Sequence, residues 1–140
     1  MTTITIQPIT AEDTLLLRHS VLWPDKPFDY VRLPDDEQGQ HVGGFVEGKL
    51  VAVISLFVDK PTAVARFRKF ATHPNFQNQG IGTQLLNQVI GQARQADTIE
   101  LWCDARLTAG AFYERFGMQA DGAVFYKGDI AYSRFMMKLC

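Results

Sequence analysis

The sequence Gln77-Asn78-Gln79-Gly80-Ile81-Gly82 joins a strand-like segment to the amphipathic run Thr83 to Ala96. Glycines allow backbone conformations that other residues rarely adopt, so backbone N–H groups can approach a ligand closely. The first turn of the following helix leaves N–H groups without intrahelical partners. This stretch therefore predicts a strand, an anion-binding loop and a helix in succession, with a phosphate-bearing ligand as the expected guest.

Two better-known phosphate-binding motifs do not fit the same stretch. A P-loop ends in Gly-Lys-Ser/Thr, whereas Gly82 is followed by Thr83 and Gln84. A dinucleotide-binding fingerprint needs a third small residue at the position of Leu85. The remaining alternative is a glycine-rich turn that only begins a helix.

Length and composition favour a single domain over residues 1–140. The chain has 140 residues, of which 46% are hydrophobic, and a domain of this size buries roughly two thirds of its unfolded surface. The net charge of -1 and the pI of about 6.3 provide no basic footprint, so no nucleic-acid partner is expected. The N-terminus lacks a basic stretch followed by an apolar segment, the pattern of a signal peptide, and no apolar run approaches the roughly 20 residues that span a bilayer. We therefore expect a soluble cytoplasmic protein without a membrane partner.

The charges are unevenly distributed along the chain. Residues 60–96 contain no Asp or Glu but carry five cationic residues, Lys60, Arg66, Arg68, Lys69 and Arg94. An acid-free segment around the glycine loop favours an anionic ligand. The alternative is ordinary solvated surface charge.

Cysteine and histidine spacing does not indicate a metal site. Cys103 lies in an apolar run and Cys140 at the end of the chain, which provides neither a disulfide framework nor metal-ligand spacing. The histidines are likewise scattered, at His19, His41 and His73. We expect no bound metal, and we expect Cys103 to be a buried small hydrophobe rather than a nucleophile.

Hydrophobic periodicity predicts an α/β (α+β) fold with a central twisted mixed sheet of about seven strands flanked by helices. The predicted strands cover 3–7, 41–46, 50–58, 63–72, 98–103, 123–126 and 131–139, and the predicted helices run from Thr10 to before Pro24, from the glycine loop to 96, and over 108–115 with Thr108 as cap. Gly43-Gly44 is a predicted bulge or point of close approach. Residues 23–40 hold three prolines and are predicted to form a packed loop over a site.

Two segments resemble the GNAT N-acyltransferase superfamily. Residues 69–83 read Lys-Phe-Ala-Thr-His-Pro-Asn-Phe-Gln-Asn-Gln-Gly-Ile-Gly-Thr, similar to the family's Gln/Arg-x-x-Gly-x-Gly/Ala signature after a strand that commonly ends in His-Pro. Residues 111–118 read Ala-Phe-Tyr-Glu-Arg-Phe-Gly-Met, similar to the family's Phe-Tyr-Glu-x-x-Gly-Phe segment with Met118 in the last place. The resemblance covers about residues 3–139 and implies a GNAT-like acyl-CoA N-acyltransferase fold.

The resemblance also implies that acetyl-CoA is the cofactor. In the family, the backbone amides of the glycine loop hold the pyrophosphate, and the edge of the preceding strand pairs with the pantetheine arm. Carried over to this chain, the implied cofactor-binding residues are Phe70, Ala71, Thr72, Gln77, Asn78, Gln79, Gly80, Ile81, Gly82, Thr83 and Phe112.

The implied activity is acetyl transfer to the primary amine of a small molecule or peptide, by direct attack on the thioester. The family's tyrosine in the second segment lies near the cofactor sulfur, which makes Tyr113 the candidate catalytic acid. A phenol with a pKa near 10 can donate to a thiolate whose conjugate acid has a pKa of roughly 8.5 to 9. The alternative is that Tyr113 is a core residue with a polar tip. Terminal strands in such folds often pair, so a homodimer is an expected assembly.

The general base is left open by the sequence. Many family members place a Glu on the strand before the glycine loop, whereas residues 65–72 read Ala-Arg-Phe-Arg-Lys-Phe-Ala-Thr, without a carboxylate. Candidates are His41, Glu100, Asp104 and water relayed to bulk solvent, and none is assigned as catalytic. Because the usual base is missing, the alternative function is a non-catalytic acyl-CoA-binding or sensing module.

Arg66 and Arg68 are two residues apart and share one face of their predicted strand. If that face borders the acceptor site, it favours an amine that also carries a carboxylate or phosphate. The alternative is that these arginines pair with acids such as Asp59 or Glu100.

Overall fold

A computed structural model describes residues 3–139 of the chain. Eight strands occur in this range: β1 (Thr5–Ile9), β2 (Gln40–Val46), β3 (Lys49–Asp59), β4 (Val64–Thr72), β5 (Glu100–Arg106), β6 (Gln119–Ala120), β7 (Phe125–Lys127) and β8 (Ile130–Lys138). The α-helices in the same range are α1 (Ala11–Leu17), α2 (Ile81–Gln95) and α3 (Gly110–Glu114). A π-helical turn at Arg18–Leu22 follows α1, and short 3-10 turns lie at Phe28–Val31, Asp36–Gln38, Pro74–Phe76 and Leu107–Ala109.

The strands form a mixed sheet in the order β1-β2-β3-β4-β5-β8-β6, with β7 also paired to β8. The β4–β5 pair is parallel, whereas β1–β2, β2–β3, β5–β8, β6–β8 and β7–β8 are antiparallel. The predicted mixed α/β fold is therefore confirmed. Strand β6 was not predicted, because two residues are too short to show an alternation of polar and apolar side chains.

The chain divides into two compact units. The first comprises the residues up to Phe57 together with Phe67–Gln92, and the second comprises Val58–Arg66 together with the residues from Ala93 onward. The expectation of a single domain over residues 1–140 stays a prediction.

In the first unit, α1 begins with a capping box. The Thr10 hydroxyl accepts from the backbone N–H of Asp13, and the Asp13 carboxylate accepts from the N–H of Thr10, so two N-terminal donors are satisfied. Helix α2 buries its predicted apolar face, which includes Leu85. A Cβ at Gly44 would lie 2.8 Å from Cδ1 of Leu85, and the β2–β3 register shifts between Gly44 and Phe45. The predicted close approach at Gly44 is thus present, and the shift in register lies next to it.

In the second unit, β5 alternates between buried and half-buried residues. Leu101, Cys103 and Ala105 are buried, while the residues between them are half-buried. Strand β5 pairs with β8 over the whole length of β5, from Glu100 opposite Lys138 to Arg106 opposite Tyr132. This pairing gives the β5–β8 ribbon one buried face and one half-exposed face.

Candidate active site

The glycine loop lies between the end of β4 and the first turn of α2. A 3-10 turn, Pro74–Phe76, leads into it, and the backbone then has a φ of 61° at Asn78 and 82° at Gly80. Such left-handed values cost Gly little and are tolerated by Asn. The backbone N–H of Gln84 donates to the carbonyl of Gly80 at 3.2 Å, the first bond of the helix. The N–H groups of residues 81–83 consequently have no intrahelical acceptor.

Side chains in and before the loop hold its backbone in place. Nε2 of Gln77 donates to the carbonyl of Thr72 at 2.9 Å, and Nε2 of Gln79 donates to the carbonyl of Asn75 at 3.1 Å. Nδ1 of His73 accepts from the N–H of Asn75 at 3.1 Å. These side chains bind the backbone of residues 72–75, which lead into the loop, and so leave the main-chain N–H groups of the loop as the natural contacts for a ligand.

The electrostatic surroundings of this loop favour an anion. Helix α2 has no acidic residue in its first turn. The aligned peptide dipoles of a helix stabilise an anion at its N-terminus by about 0.3–1 kcal/mol at an exposed position. The backbone donors and the acid-free sequence therefore fit a phosphate-bearing group.

The predicted pantetheine-binding residues form the end of β4. Lys69 has a positive φ of 54°, so the alternation of the strand is interrupted immediately before Phe70. Ala71 is buried in the core of the first unit, whereas Phe70 and Thr72 are half-buried. Their role in cofactor binding stays a prediction.

Tyr113 lies in α3 of the second unit and is only 8% exposed. Its ring packs on Phe135 with a centroid distance of 5.7 Å, and Gly110 allows the close packing because a Cβ there would lie 3.3 Å from Cζ of Phe135. Burial, followed by the neighbouring Cys103, raises the pKa of Tyr113 well above its ordinary value. The phenol therefore keeps its proton at neutral pH and can serve as a hydrogen-bond donor.

Phe112 neighbours Tyr113 with ring centroids 5.2 Å apart and also contacts Phe116 at 5.1 Å. The predicted cap at Thr108 is wrong. Residues 107–109 form a 3-10 turn, and α3 starts from Ala109 without a side-chain cap. Packing of aromatic rings therefore positions this short helix, where a cap was expected to do so.

The predicted site residues divide between the two units. The end of β4 and loop residues 77–83 belong to the first unit, and Phe112 and Tyr113 belong to the second. Within the first unit, the hydrogen bond from Gln77 to Thr72 joins loop and strand. Within the second, Phe112 and Tyr113 are in ring contact.

His41, a candidate base, belongs to a buried polar network. Its Nε2 lies 2.8 Å from the carbonyl oxygen of Asp36, which only accepts, so Nε2 carries the proton. Its Nδ1 then accepts from the Ser55 hydroxyl at 2.7 Å, and Oγ of Ser55 accepts from Nη2 of Arg18 at 3.0 Å. Because both ring nitrogens are engaged, His41 is a structural residue rather than a base.

Asp104, another candidate, forms an ion pair with Arg66. Oδ2 of Asp104 accepts from Nη2 of Arg66 at 3.0 Å, so Arg66 pairs with an acid, as the alternative interpretation expected, and that acid is Asp104 of β5. The guanidinium of Arg66 also lies 4.2 Å from the ring centroid of Trp102. Sequence reasoning missed this arrangement because it depends on the β4–β5 register.

Cys103 is buried on the face of β5 opposite to these charged side chains. Burial, followed by the charge of Asp104, raises the pKa of the thiol, and the charge of Arg66 offsets this only in part. A thiol that keeps its proton is a poor nucleophile. The structure thus agrees with the expectation that Cys103 is a small buried hydrophobe.

The chain thus has a strand, a glycine loop at a helix start and a buried Tyr on a later helix. A match to a family of known proteins accompanies this arrangement. The sequence profile of the Acetyltransferase (GNAT) family matches residues 9–118. The chain belongs to the GNAT family.

Individual relatives and solved structures match over most of their lengths. The uncharacterized N-acetyltransferase YitI of Bacillus subtilis (strain 168) is 24% identical over 127 residues, which cover 86% of this chain and 85% of the relative. The ribosomal-protein-S18-alanine N-acetyltransferase of Escherichia coli has a TM-score of 0.82 at 18% identity, covering 98% of this chain and 94% of the other. Escherichia coli ElaA has a TM-score of 0.80 at 16% identity, covering 96% and 99%. At these identities the solved structures support the fold alone.

The first unit of this GNAT chain also contains an open cavity of about 610 Å³. Residues at the start of α1 and residues 32–41 line it, among them Glu12, Arg32 and His41. On the cavity side, His41 pairs with Ser55 of β3. On the glycine-loop side, the carbonyl of Val51 in β3 accepts from the N–H of His73 at 2.8 Å. Val51 and Ser55 are four positions apart along β3, a separation of about 13 Å. The cavity is therefore distinct from the glycine loop.

Among residues 3–139, no cluster of His, Cys, Asp or Glu side chains has the arrangement of a metal site. Within the same range, none of the helices is long and apolar enough to cross a membrane.

Proposed function

We propose that this GNAT chain is an acetyl-CoA-dependent N-acetyltransferase that acts on the primary amine of a small molecule or peptide. Family membership supports acyl transfer with an acyl-CoA donor. The proposal adds the acetyl group, the direct attack of the amine on the thioester, and the roles of individual residues. A homodimer through the terminal strands stays a prediction.

The observation that carries the proposal is the backbone of the glycine loop. The positive φ values at Asn78 and Gly80 turn the chain into α2, ahead of three N–H groups that lack intrahelical acceptors. Such an arrangement is suited to a pyrophosphate. In this proposal residues 77–83 bind the pyrophosphate of the cofactor, and the backbone of Phe70, Ala71 and Thr72 holds its pantetheine arm.

When bound, acetyl-CoA supplies an activated thioester carbonyl. The buried hydroxyl of Tyr113 keeps its proton and donates a hydrogen bond to the departing sulfur. Its raised pKa disfavours complete proton transfer to a thiolate with a pKa near 8.5–9, so Tyr113 stabilises negative charge on sulfur mainly as a donor.

The acceptor amine must lose a proton before or during its attack. For an alkylamine with a pKa near 10.4, deprotonation at pH 7 costs about 4–5 kcal/mol. Strand β4 carries no carboxylate, and both ring nitrogens of His41 are engaged. The candidates that remain are Glu100 and water that exchanges with bulk solvent, and in this proposal the proton goes to water.

Acetyl transfer is tested by incubating the purified chain with acetyl-CoA and mixtures of amines and detecting acetylated products by mass spectrometry. The expected result is a product that depends on both protein and acetyl-CoA, with a lower rate for Tyr113→Phe. The missing carboxylate on β4 favours one other candidate, a non-catalytic acyl-CoA-binding module. Tight acetyl-CoA binding in calorimetry without turnover of any amine would select that alternative.

A further inference from the structure

The half-exposed face of the second unit carries an aromatic side chain between two guanidinium groups. The guanidinium carbon of Arg66 lies 4.2 Å from the ring centroid of Trp102, and that of Arg134 lies 3.9 Å from it. Register pairs Arg66 with Trp102, and Arg134 with Asp104. Because Trp102 and Asp104 are two residues apart in β5, all four side chains project from one face. We name these four residues the Trp102 platform.

The two arginines of the Trp102 platform differ in their partners. Arg66 is bound by Asp104 at 3.0 Å, although Asp104 stands opposite Arg134 in the sheet. Among residues 3–139, the Arg134 side chain makes no ion pair, and the residue is exposed. Two guanidinium groups and one carboxylate leave a net charge of +1 on the platform.

Stacking on Trp102 prepares Arg134 for binding. A guanidinium over an indole ring loses part of its rotational freedom before a ligand arrives, while its N–H donors remain accessible at the edge. Those donors match the two oxygens of a carboxylate or a phosphate. Arg66 acts as a positioning residue, because it engages Asp104 and so prevents that carboxylate from neutralising Arg134.

The Trp102 platform lies on the face of the β5–β8 ribbon opposite to Tyr113. Tyr113 packs on Phe135, and Phe135 and Arg134 are consecutive in β8, so their side chains point to opposite faces. Cys103, which affects the pKa of Tyr113, lies between Trp102 and Asp104 in β5. Its side chain is buried and therefore also points away from the platform. With the departing sulfur beside Tyr113, one face of the ribbon is occupied by the leaving group. The acceptor amine must then approach from the other face, which carries the platform.

We propose that the Trp102 platform binds an anionic group of the acceptor, and that the acceptors are amines that also carry a carboxylate or phosphate. This inference rests on the proposed acetyl transfer and names its substrate class. It assigns charge-assisted hydrogen bonding to Arg134, where the sequence alone pointed to Arg66 and Arg68.

The test uses the full-length chain and pairs of amines that differ only in the acidic group. One pair is an ω-amino acid and its carboxamide, and a second pair is an aminoalkyl phosphate and the corresponding amino alcohol. Initial rates of acetylation give kcat and KM for each amine. Quenching of tryptophan fluorescence measures the binding of the same amines without turnover, and Trp102→Phe identifies the part of the signal that comes from the platform.

The informative variant is Arg134→Gln, and Arg94→Gln at the end of α2 is its matched control. We expect the wild type to favour at least one acidic amine by about tenfold or more in kcat/KM. Arg134→Gln should abolish this preference through a higher KM for the acidic amines. Arg94→Gln should retain the preference, and Arg134→Lys should restore part of it.

Two results would overturn the inference: no preference of the wild type for either acidic amine, or a preference that survives Arg134→Gln. Failure of the proposed function looks different, because then none of the four amines is acetylated. In that case the fluorescence titration still decides, since tighter binding of the acidic amines that is lost in Arg134→Gln supports the platform. Equal binding of acidic and uncharged amines rejects it.

Discussion

Arg18 and Asp36 form a bidentate ion pair, with Nη1–Oδ2 and Nη2–Oδ1 distances of 2.9 Å each. The Arg18 side chain is fully buried and that of Asp36 is 13% exposed. Arg18 also donates to the carbonyl of Val31 and to the hydroxyl of Ser55, both at 3.0 Å. These contacts therefore connect the π-helical turn after α1 to residues 31–36 and to β3.

Replacement of Asp36 by Asn should destabilise the protein by about 3–5 kcal/mol, because it leaves the Arg18 guanidinium buried without a counter-charge. The measurement is urea unfolding followed by circular dichroism. Asp29→Asn is the control, because Asp29 pairs with Arg32 at the surface. A midpoint for Asp36→Asn as high as that of the control would contradict the importance of the buried pair.

The pH dependence of stability should carry the signature of Asp36. Burial alone would raise its pKa, but hydrogen bonds from Arg18 and from the N–H of Leu33, with the charge of Arg18, hold the pKa below its usual range. A depressed pKa stabilises the fold above the unfolded-state value near 3.9, and this contribution is lost as the pH falls through the folded-state pKa. Unfolding free energies measured from pH 6 downward should therefore fall more steeply for wild type than for Asp36→Asn; parallel curves would refute the assignment.

Gly80→Ala should weaken acetyl-CoA binding by about tenfold or more, equivalent to about 1.4 kcal/mol. The φ of 82° at Gly80 strains any residue with a Cβ, and relief of that strain moves the loop amides. Gly48→Ala is a matched control, since Gly48 has a φ of 80° in the β2–β3 turn with no other atom near the added methyl. Both variants carry the same backbone strain, but only Gly80→Ala should lose affinity for acetyl-CoA. Calorimetric titration of each variant with acetyl-CoA measures this difference.

Gly82→Leu should abolish acetyl-CoA binding while the protein remains folded, because a branched side chain in the first turn of α2 obstructs the approach of a pyrophosphate. Gly91→Leu places the same side chain in the same helix, at a position with open space around it. The control should bind with wild-type affinity in calorimetry. Unchanged affinity in a folded Gly82→Leu variant would exclude the loop as the pyrophosphate site.

Tyr113→Phe should lower kcat by about a hundredfold or more with little change in the affinity for acetyl-CoA, because only the hydrogen bond to sulfur is removed. Tyr132→Phe is the control, since Tyr132 is also a buried tyrosine of the second unit and stacks on Phe125. Steady-state kinetics across pH distinguish the two variants. A Tyr113→Phe enzyme with wild-type kcat at every pH would assign Tyr113 to the core alone.

Features that depend on neighbours in the chain were predictable from the sequence. The apolar repeat of α2, the β2–β3 hairpin and the start of α1 at Thr10 each depend on a few neighbouring residues, because helix and strand periodicities and caps act over that range. The glycine loop is equally local, since its turn depends on residues able to adopt positive φ. The start of α3 was mispredicted because a 3-10 turn, and not Thr108, precedes it.

The sequence by itself determined the order of the longer elements and the turn of the glycine loop into α2, since both follow from backbone preferences and hydrophobic spacing. Only the tertiary structure decided which charges meet. Arg18 finds Asp36 and Ser55, and Arg66 finds Asp104, across separations of 18, 37 and 38 residues. Strand register and burial bring such groups within hydrogen-bonding distance, and no pattern along the chain encodes the choice between several acids of equal charge. The assignment of His41 to structure and of Arg134 to the acceptor likewise depends on these long-range contacts.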